Sequence, residues 1–201
     1  MKNWFATIIA LICTGFWSIA QETYKVGSTV NDFKLKSVSG KMVSLPNQAT
    51  DKGCIVIFTC NHCPYAKAYE DRIISLHNAY AKKGYPVLAI NPNDPKVAPD
   101  DSYKKMQERA AYKQFPFEYI YDAKQDVAKK FGAMKTPHVY LLEKNDGVFQ
   151  VKYIGAIDNN WEHADQATEH YVANAIDELL NGQAVSVPET KAIGCTIKWK
   201  K

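Results

Sequence analysis

The sequence predicts an α/β fold, a central mixed sheet flanked by helices, with a β-hairpin extension at its N-terminal side. Three observations carry this expectation. Two continuous apolar runs of strand length, Cys54-Ile55-Val56-Ile57-Phe58 and Pro86-Val87-Leu88-Ala89-Ile90, suit strands covered on both faces. Between them Tyr65, Tyr69, Ile73, Leu76 and Tyr80 recur at helical spacing and form one apolar stripe. Further on, Asn145-Asp146-Gly147 signals a tight antiparallel turn. Strands that alternate with helices and end in an antiparallel pair describe a layered α/β sheet.

Residues 24–45 predict the hairpin: Phe33 and Leu35 alternate with Lys34 and Lys36, Ser39-Gly40-Lys41 turns, and Met42-Val43-Ser44-Leu45 returns. Residues 46–52 are polar and predict a loop. Pro64 suits a first helical turn, where its missing N–H costs nothing, and Gly84 ends that helix. Residues 91–101 hold three prolines and predict a loop, after which Asp100 or Ser102 caps a helix reaching about Gln114. Residues 117–121 alternate as a strand, and Asp122 opens a short helix that ends at Phe131-Gly132. Strands over 138–142 and 148–154 flank the Asp146-Gly147 turn, and a last helix covers about 164–180. The flanking Ile and Trp of Ile193-Gly194-Cys195-Thr196-Ile197-Lys198-Trp199 predict a tail docked on the body.

A chain of 201 residues, 46% apolar, can bury one good-sized core. Its net charge of +4 is spread among both signs, so there is no basic face for nucleic acid. Residues 1–20 read as an export signal: Lys2, an apolar run from Trp4 to Cys13, then small residues around Ser18-Ile19-Ala20. The alternative is an uncleaved membrane anchor. Thr14, Gly15 and Ser18 weaken it, since a span needs about 20 mostly apolar residues. The expected organisation is a signal over 1–20, a domain over 21–182 and a tail over 183–201 carrying Cys195. The expected location is periplasmic or extracellular, without stable membrane insertion after cleavage.

The mature chain would keep Cys54, Cys60, Cys63 and Cys195, too few for a disulfide scaffold. Cys60-Asn61-His62-Cys63-Pro64 lies between a buried strand and a first helical turn, where redox enzymes make a reactive thiolate. Unpaired N–H groups at a helix N-terminus favour negative charge on Cys63, and His62, when protonated, would lower its pKa further. Cys54 reads as a small apolar core residue. For Cys195 three fates are open: a third redox thiol, a bridge to Cys54, or a free thiol. Cys60, His62 and Cys63 are too few for a structural zinc site, so neither metal nor cofactor is expected.

The strand-Cys60-Asn61-His62-Cys63-Pro64-helix unit, Thr136-Pro137 before a strand, the Asp146-Gly147 hairpin and the final helix together resemble the thioredoxin superfamily. They resemble most closely its peroxiredoxin-like (redoxin, AhpC/TSA-type) branch, to which the hairpin at 24–45 is similar as an extra N-terminal element. The resemblance implies a thioredoxin-like fold and thiol–disulfide oxidoreductase chemistry, the alternatives being a thiol peroxidase with Cys63 as peroxidatic cysteine and a non-enzymatic redox or metal-binding module. It also implies a cis peptide at Pro137, with Thr136 and Pro137 facing an extended substrate. Counted from Phe58, it places Cys63 in the attacking position and Cys60 where a peroxiredoxin has threonine. Val56 stands where that family has proline. The competing register makes Cys60 the attacker and Cys63 the resolver. Implied partners are protein or small-molecule thiols and disulfides, hydroperoxides in a peroxidase reading, and an upstream thiol reductant.

Overall fold

The computed structural model describes residues 22–48 and 52–201. Residues 1–20, read above as an export signal, lie outside the described residues. The sheet is built around β4 (Gly53–Phe58), every residue of which is buried. Its side chains alternate: Cys54, Val56 and Phe58 enter one core, Ile55 and Ile57 the other. β4 pairs in parallel with β5 (Val87–Asn91), and β5 in parallel with β6 (Glu118–Tyr121). On its other side it pairs antiparallel with β8 (His138–Asn145), which hairpins into β9 (Val148–Gly155). At that turn Asp146 (φ 51°) and Gly147 (φ 81°) are both left-handed, as a two-residue hairpin turn demands.

β2 (Lys34–Ser37) and β3 (Met42–Ser44) form the expected hairpin and extend the sheet beyond β6. β1 (Thr29–Val30) crosses instead to the opposite edge and pairs with β9. The eight strands therefore run β1-β9-β8-β4-β5-β6-β2-β3. Part of the segment expected as loop is a short helix, α1 (Leu45–Gln48). Leu45 is fully buried in the core and its N–H donates to Asp32 Oδ1, so it anchors a stretch whose polarity hid it.

One face of the sheet is covered by α2 (Pro64–Tyr80), α3 (Tyr103–Lys113) and α5 (Tyr171–Leu180). Tyr69, Ile73, Met106, Val172 and Ile176 from these helices pack with Ile55 and Ile57. The other face takes α4 (Asp126–Phe131), whose Phe131 ring meets Tyr24, Phe58 and Tyr140 edge-on at centroid distances of 5.0, 5.4 and 5.0 Å. Truncating such a buried ring costs about 3–5 kcal/mol.

Several boundaries differ from expectation. The last helix begins at Tyr171, and residues 164–166 form only a single 3₁₀ turn. Ser102 is the N-cap residue of α3, one of the two candidates, but its side chain makes no capping bond. Asp122 lies before α4 and accepts from the Ala128 N–H at 2.8 Å. The tail docks as expected: β10 (Cys195–Thr196) pairs antiparallel with β7 (Lys135–Thr136), and Ile197 enters the core. No described helix is long and apolar enough to cross a membrane.

Candidate active site: a three-cysteine cluster at the head of the first long helix

The end of β4 delivers the cysteines. The Thr59 N–H still pairs with the Ile90 carbonyl at 2.8 Å, after which the chain turns through residues 60–62 into α2. Cys63 is the N-cap residue in extended conformation (φ −67°, ψ 128°), and Pro64 is the first helical residue. A helix N-terminus leaves backbone N–H groups without intrahelical acceptors, and here a sulfur takes that place. The Cys60 thiol, the Cys195 thiol and the N–H groups of Ala66 and Cys195 all bond to Cys63 Sγ. The bond from Cys60 is the largest cause that lowers the Cys63 pKa to about 4, and the other three add to it against the opposing effect of burial.

Cys60 behaves in the opposite way. Its pKa is pushed well above the thiol range by its bond to Cys63, by burial, and by the negative charge of Asp101. Its Sγ also lies 3.2 Å from Thr136 Oγ1. As a thiol, Cys63 donates to the Thr136 carbonyl at 3.4 Å, across a Thr136–Pro137 bond that is cis. The backbone expected to receive an extended substrate at Thr136 is paired with Cys195 of the chain's own tail. Cys195 is pushed up to about 11, first by burial and then by Cys63, with Lys198 and Lys135 opposing. It is a free thiol, with no bridge to Cys54.

A buried carboxylate organises the loop. Asp101, fully buried, accepts from the Asn61 N–H at 2.6 Å, His62 Nδ1 at 2.5 Å, Asn93 Nδ2 at 2.8 Å and Asn91 Nδ2 at 3.3 Å. Asn61 is held further by Asp100 O at 2.8 Å and by the Tyr119 hydroxyl at 2.9 Å. His62, expected beside the thiolate, thus turns its ring to Asp101, and the groups that lower the Cys63 pKa are thiols and backbone N–H groups. Sequence reasoning missed Asp101. Its signal was present: Asn91 and Asn93 leave the C-terminal end of a buried strand, on the sheet end where ligand sites collect, and need a buried acceptor.

Cys60, His62 and Asp101 also bring one ligand atom each within 4.8 Å of one another. Three protein ligands fall short of a closed structural zinc site, and the His62 and Asp101 atoms already bond each other. Of the other histidines, His77 Nδ1 accepts from the Val87 N–H, burial lowers His138 to about 4, and His163 and His170 are exposed. Glu118 accepts from the Ser37 hydroxyl, and Tyr65 packs on Trp161 at 4.2 Å.

Comparison with known proteins gives the family and the fold. The AhpC/TSA family model matches residues 26–151. The thiol-disulfide oxidoreductase ResA of Geobacillus thermodenitrificans is 27% identical over 126 residues, 63% of this chain and 68% of that protein. A conserved protein of Geobacillus kaustophilus superimposes with a TM-score of 0.82 at 33% identity, covering 89% of this chain and 94% of that one. Peroxidoxin BcpB of Mycobacterium tuberculosis shares the fold, with a TM-score of 0.53 at 18% identity over 65% of this chain and 84% of its own. The chain belongs to the AhpC/TSA family and is a redoxin-type oxidoreductase of the thioredoxin superfamily.

Proposed function

We propose that the protein is an exported thiol–disulfide oxidoreductase working through the Cys60-Asn61-His62-Cys63 dithiol, with Cys63 as the attacking thiolate. The observation that carries this reading is the Cys63 sulfur at the N-terminus of α2, surrounded by donors that stabilise its anion. In exchange, Cys63 Sγ attacks one sulfur of a disulfide, forming a mixed disulfide and releasing a thiolate. Cys60 then loses its proton and attacks Cys63 Sγ, which closes the Cys60–Cys63 disulfide and releases the second thiolate. His62 acts through Asp101, which fixes the loop between the two cysteines. No cofactor is needed for this chemistry, and turnover draws on an external thiol reductant. The signal-like residues 1–20 support a periplasmic or extracellular site of action. The name of the ResA relative supports disulfides as the substrate class.

The test is insulin reduction together with a measured redox potential. The reading expects catalysis that depends on Cys63 and a comparatively oxidising potential, because the reduced form is stabilised as thiolate. A Cys63 that enters no disulfide in the wild-type protein, whether with Cys60, Cys195 or an external thiol, would overturn it.

Family membership favours a second reading, thiol peroxidase chemistry in which Cys63 is oxidised to a sulfenic acid that Cys60 or Cys195 condenses to a disulfide. Cys60 and Val56 replace two of the residues expected of a peroxiredoxin. Both arginines of the chain are committed elsewhere, Arg72 to Asp158 and Arg109 to Glu70. Stopped-flow peroxide consumption no faster than that of free cysteine removes this second reading.

A further inference from the structure

Cys63 is fully buried and Cys60 is 2% exposed, while Cys195 is partly exposed. The attacking sulfur therefore lies behind the tail. The tail is not a loose cover. A Cβ on Gly194 would fall 2.2 Å from the Thr136 carbonyl oxygen, so only glycine lets the two backbones approach this closely. Beyond Cys195 the Ile197 N–H donates to Met134 O at 3.1 Å and the Lys198 N–H to Asn93 Oδ1 at 2.8 Å. The Lys198 carbonyl accepts from the Asp94 N–H and from Gln125 Nε2, both at 2.9 Å, and the Lys200 N–H donates to Gln125 Oε1 at 2.8 Å. Lifting the strand to uncover Cys63 would break these bonds and return Ile197 to water.

We propose that Cys195 is the sulfur through which the buried Cys60–Cys63 pair exchanges with an external disulfide, the tail strand holding it permanently against Cys63. This rests on the reading of Cys63 as the reactive thiolate and adds the route by which a partner reaches it. The Cys195 thiol passes its proton to the Cys63 thiolate beside it and attacks an external disulfide, forming a mixed disulfide and releasing one thiolate, which takes that proton up and restores the Cys63 thiolate. Cys63 then attacks Cys195 Sγ, which forms a Cys63–Cys195 disulfide and expels the second thiolate. Finally Cys60 attacks Cys63 Sγ, passing the disulfide inward and restoring the Cys195 thiol. Two thiols are oxidised and one external disulfide is reduced. Lys135 and Lys198 put positive charge beside Cys195, which suits an anionic low-molecular-weight disulfide.

Glutathione disulfide is the probe, applied to the reduced full chain with acid quenching and peptide mapping. In the wild-type protein the earliest glutathione adduct should be on the Cys195 peptide. Cys63→Ser should hold that adduct on Cys195, and Cys60→Ser should accumulate the Cys63–Cys195 disulfide. Cys195→Ser should slow oxidation of Cys63 by about tenfold or more. A first adduct on Cys63, or Cys60–Cys63 closure at an undiminished rate in Cys195→Ser, overturns the proposal while leaving the oxidoreductase reading intact. Failure of Cys63 to enter any disulfide in the wild-type protein overturns both.

Discussion

Cys54 and Cys63 are both fully buried, one near the start of β4 and the other at the N-cap of α2, yet their thiols are driven in opposite directions. Cys54 is the second residue of β4 and lies inside the apolar core, where burial alone pushes its pKa up to about 12. Cys63 is equally hidden from water, but donors from Cys60, Cys195 and Ala66 surround its sulfur and lower it to about 4. The lesson is that burial penalises a thiolate only where nothing replaces the lost water. The first turn of α2 and the docked tail supply that replacement, and the start of β4 does not.

The sharpest way to break the contrast is substitution of each cysteine. Cys63→Ser should lower insulin reduction by at least about a hundredfold. Cys54→Ser should leave exchange unchanged and cost about 1–3 kcal/mol in denaturant unfolding, because it buries a hydroxyl in apolar surroundings. Retained activity in the first, or lost activity in the second with the fold intact, would reverse the two roles.

Asp101→Asn comes next. It weakens the acceptor of the Asn61, His62 and Asn93 donors and should destabilise the protein by about 2 kcal/mol in denaturant unfolding. It also removes a charge that raises the Cys60 pKa, so Cys60 should alkylate faster at alkaline pH. Unchanged stability and unchanged Cys60 alkylation would mean that the loop is held by other groups.

A smaller effect is expected at the donor itself. Cys60→Ala removes the strongest bond to Cys63 and should raise the pKa of the remaining thiolate by about one to two pH units. Cys60→Ser keeps a donor and should restore most of the difference, which a purely structural role would not do. Alkylation rate against pH reads both variants.

Much of this organisation was legible in the sequence. Continuous apolar runs located β4 and β5, and an Asp-Gly turn located the β8–β9 hairpin, because strand burial and left-handed turn residues leave local marks. The placement of Cys63 just before Pro64 marked the helix N-terminus in the same way. What stayed hidden depends on residues distant in the chain. Asp101 reaches the cysteine loop from beyond β5, and β1 pairs with a strand over a hundred residues away, whereas the docking of the tail was legible from the apolar residues around Cys195. No local pattern encodes the first two meetings. His62 was misjudged for the same reason, since adjacency to Cys63 in sequence said nothing of the carboxylate that draws its ring away.

The central claim is that a sealed sulfur at the head of α2 is a thiolate. Its folded pKa lies below the unfolded value of about 8.5, so the anion stabilises the reduced fold fully above that value. That contribution is lost as pH falls through about 4. The direct measurement is the ultraviolet thiolate absorbance of the reduced protein against pH, with Cys63→Ser as reference. One thiolate should titrate near pH 4 and vanish in Cys63→Ser. A first thiolate that appears only near the ordinary value of about 8.5, or that survives in Cys63→Ser, would contradict it.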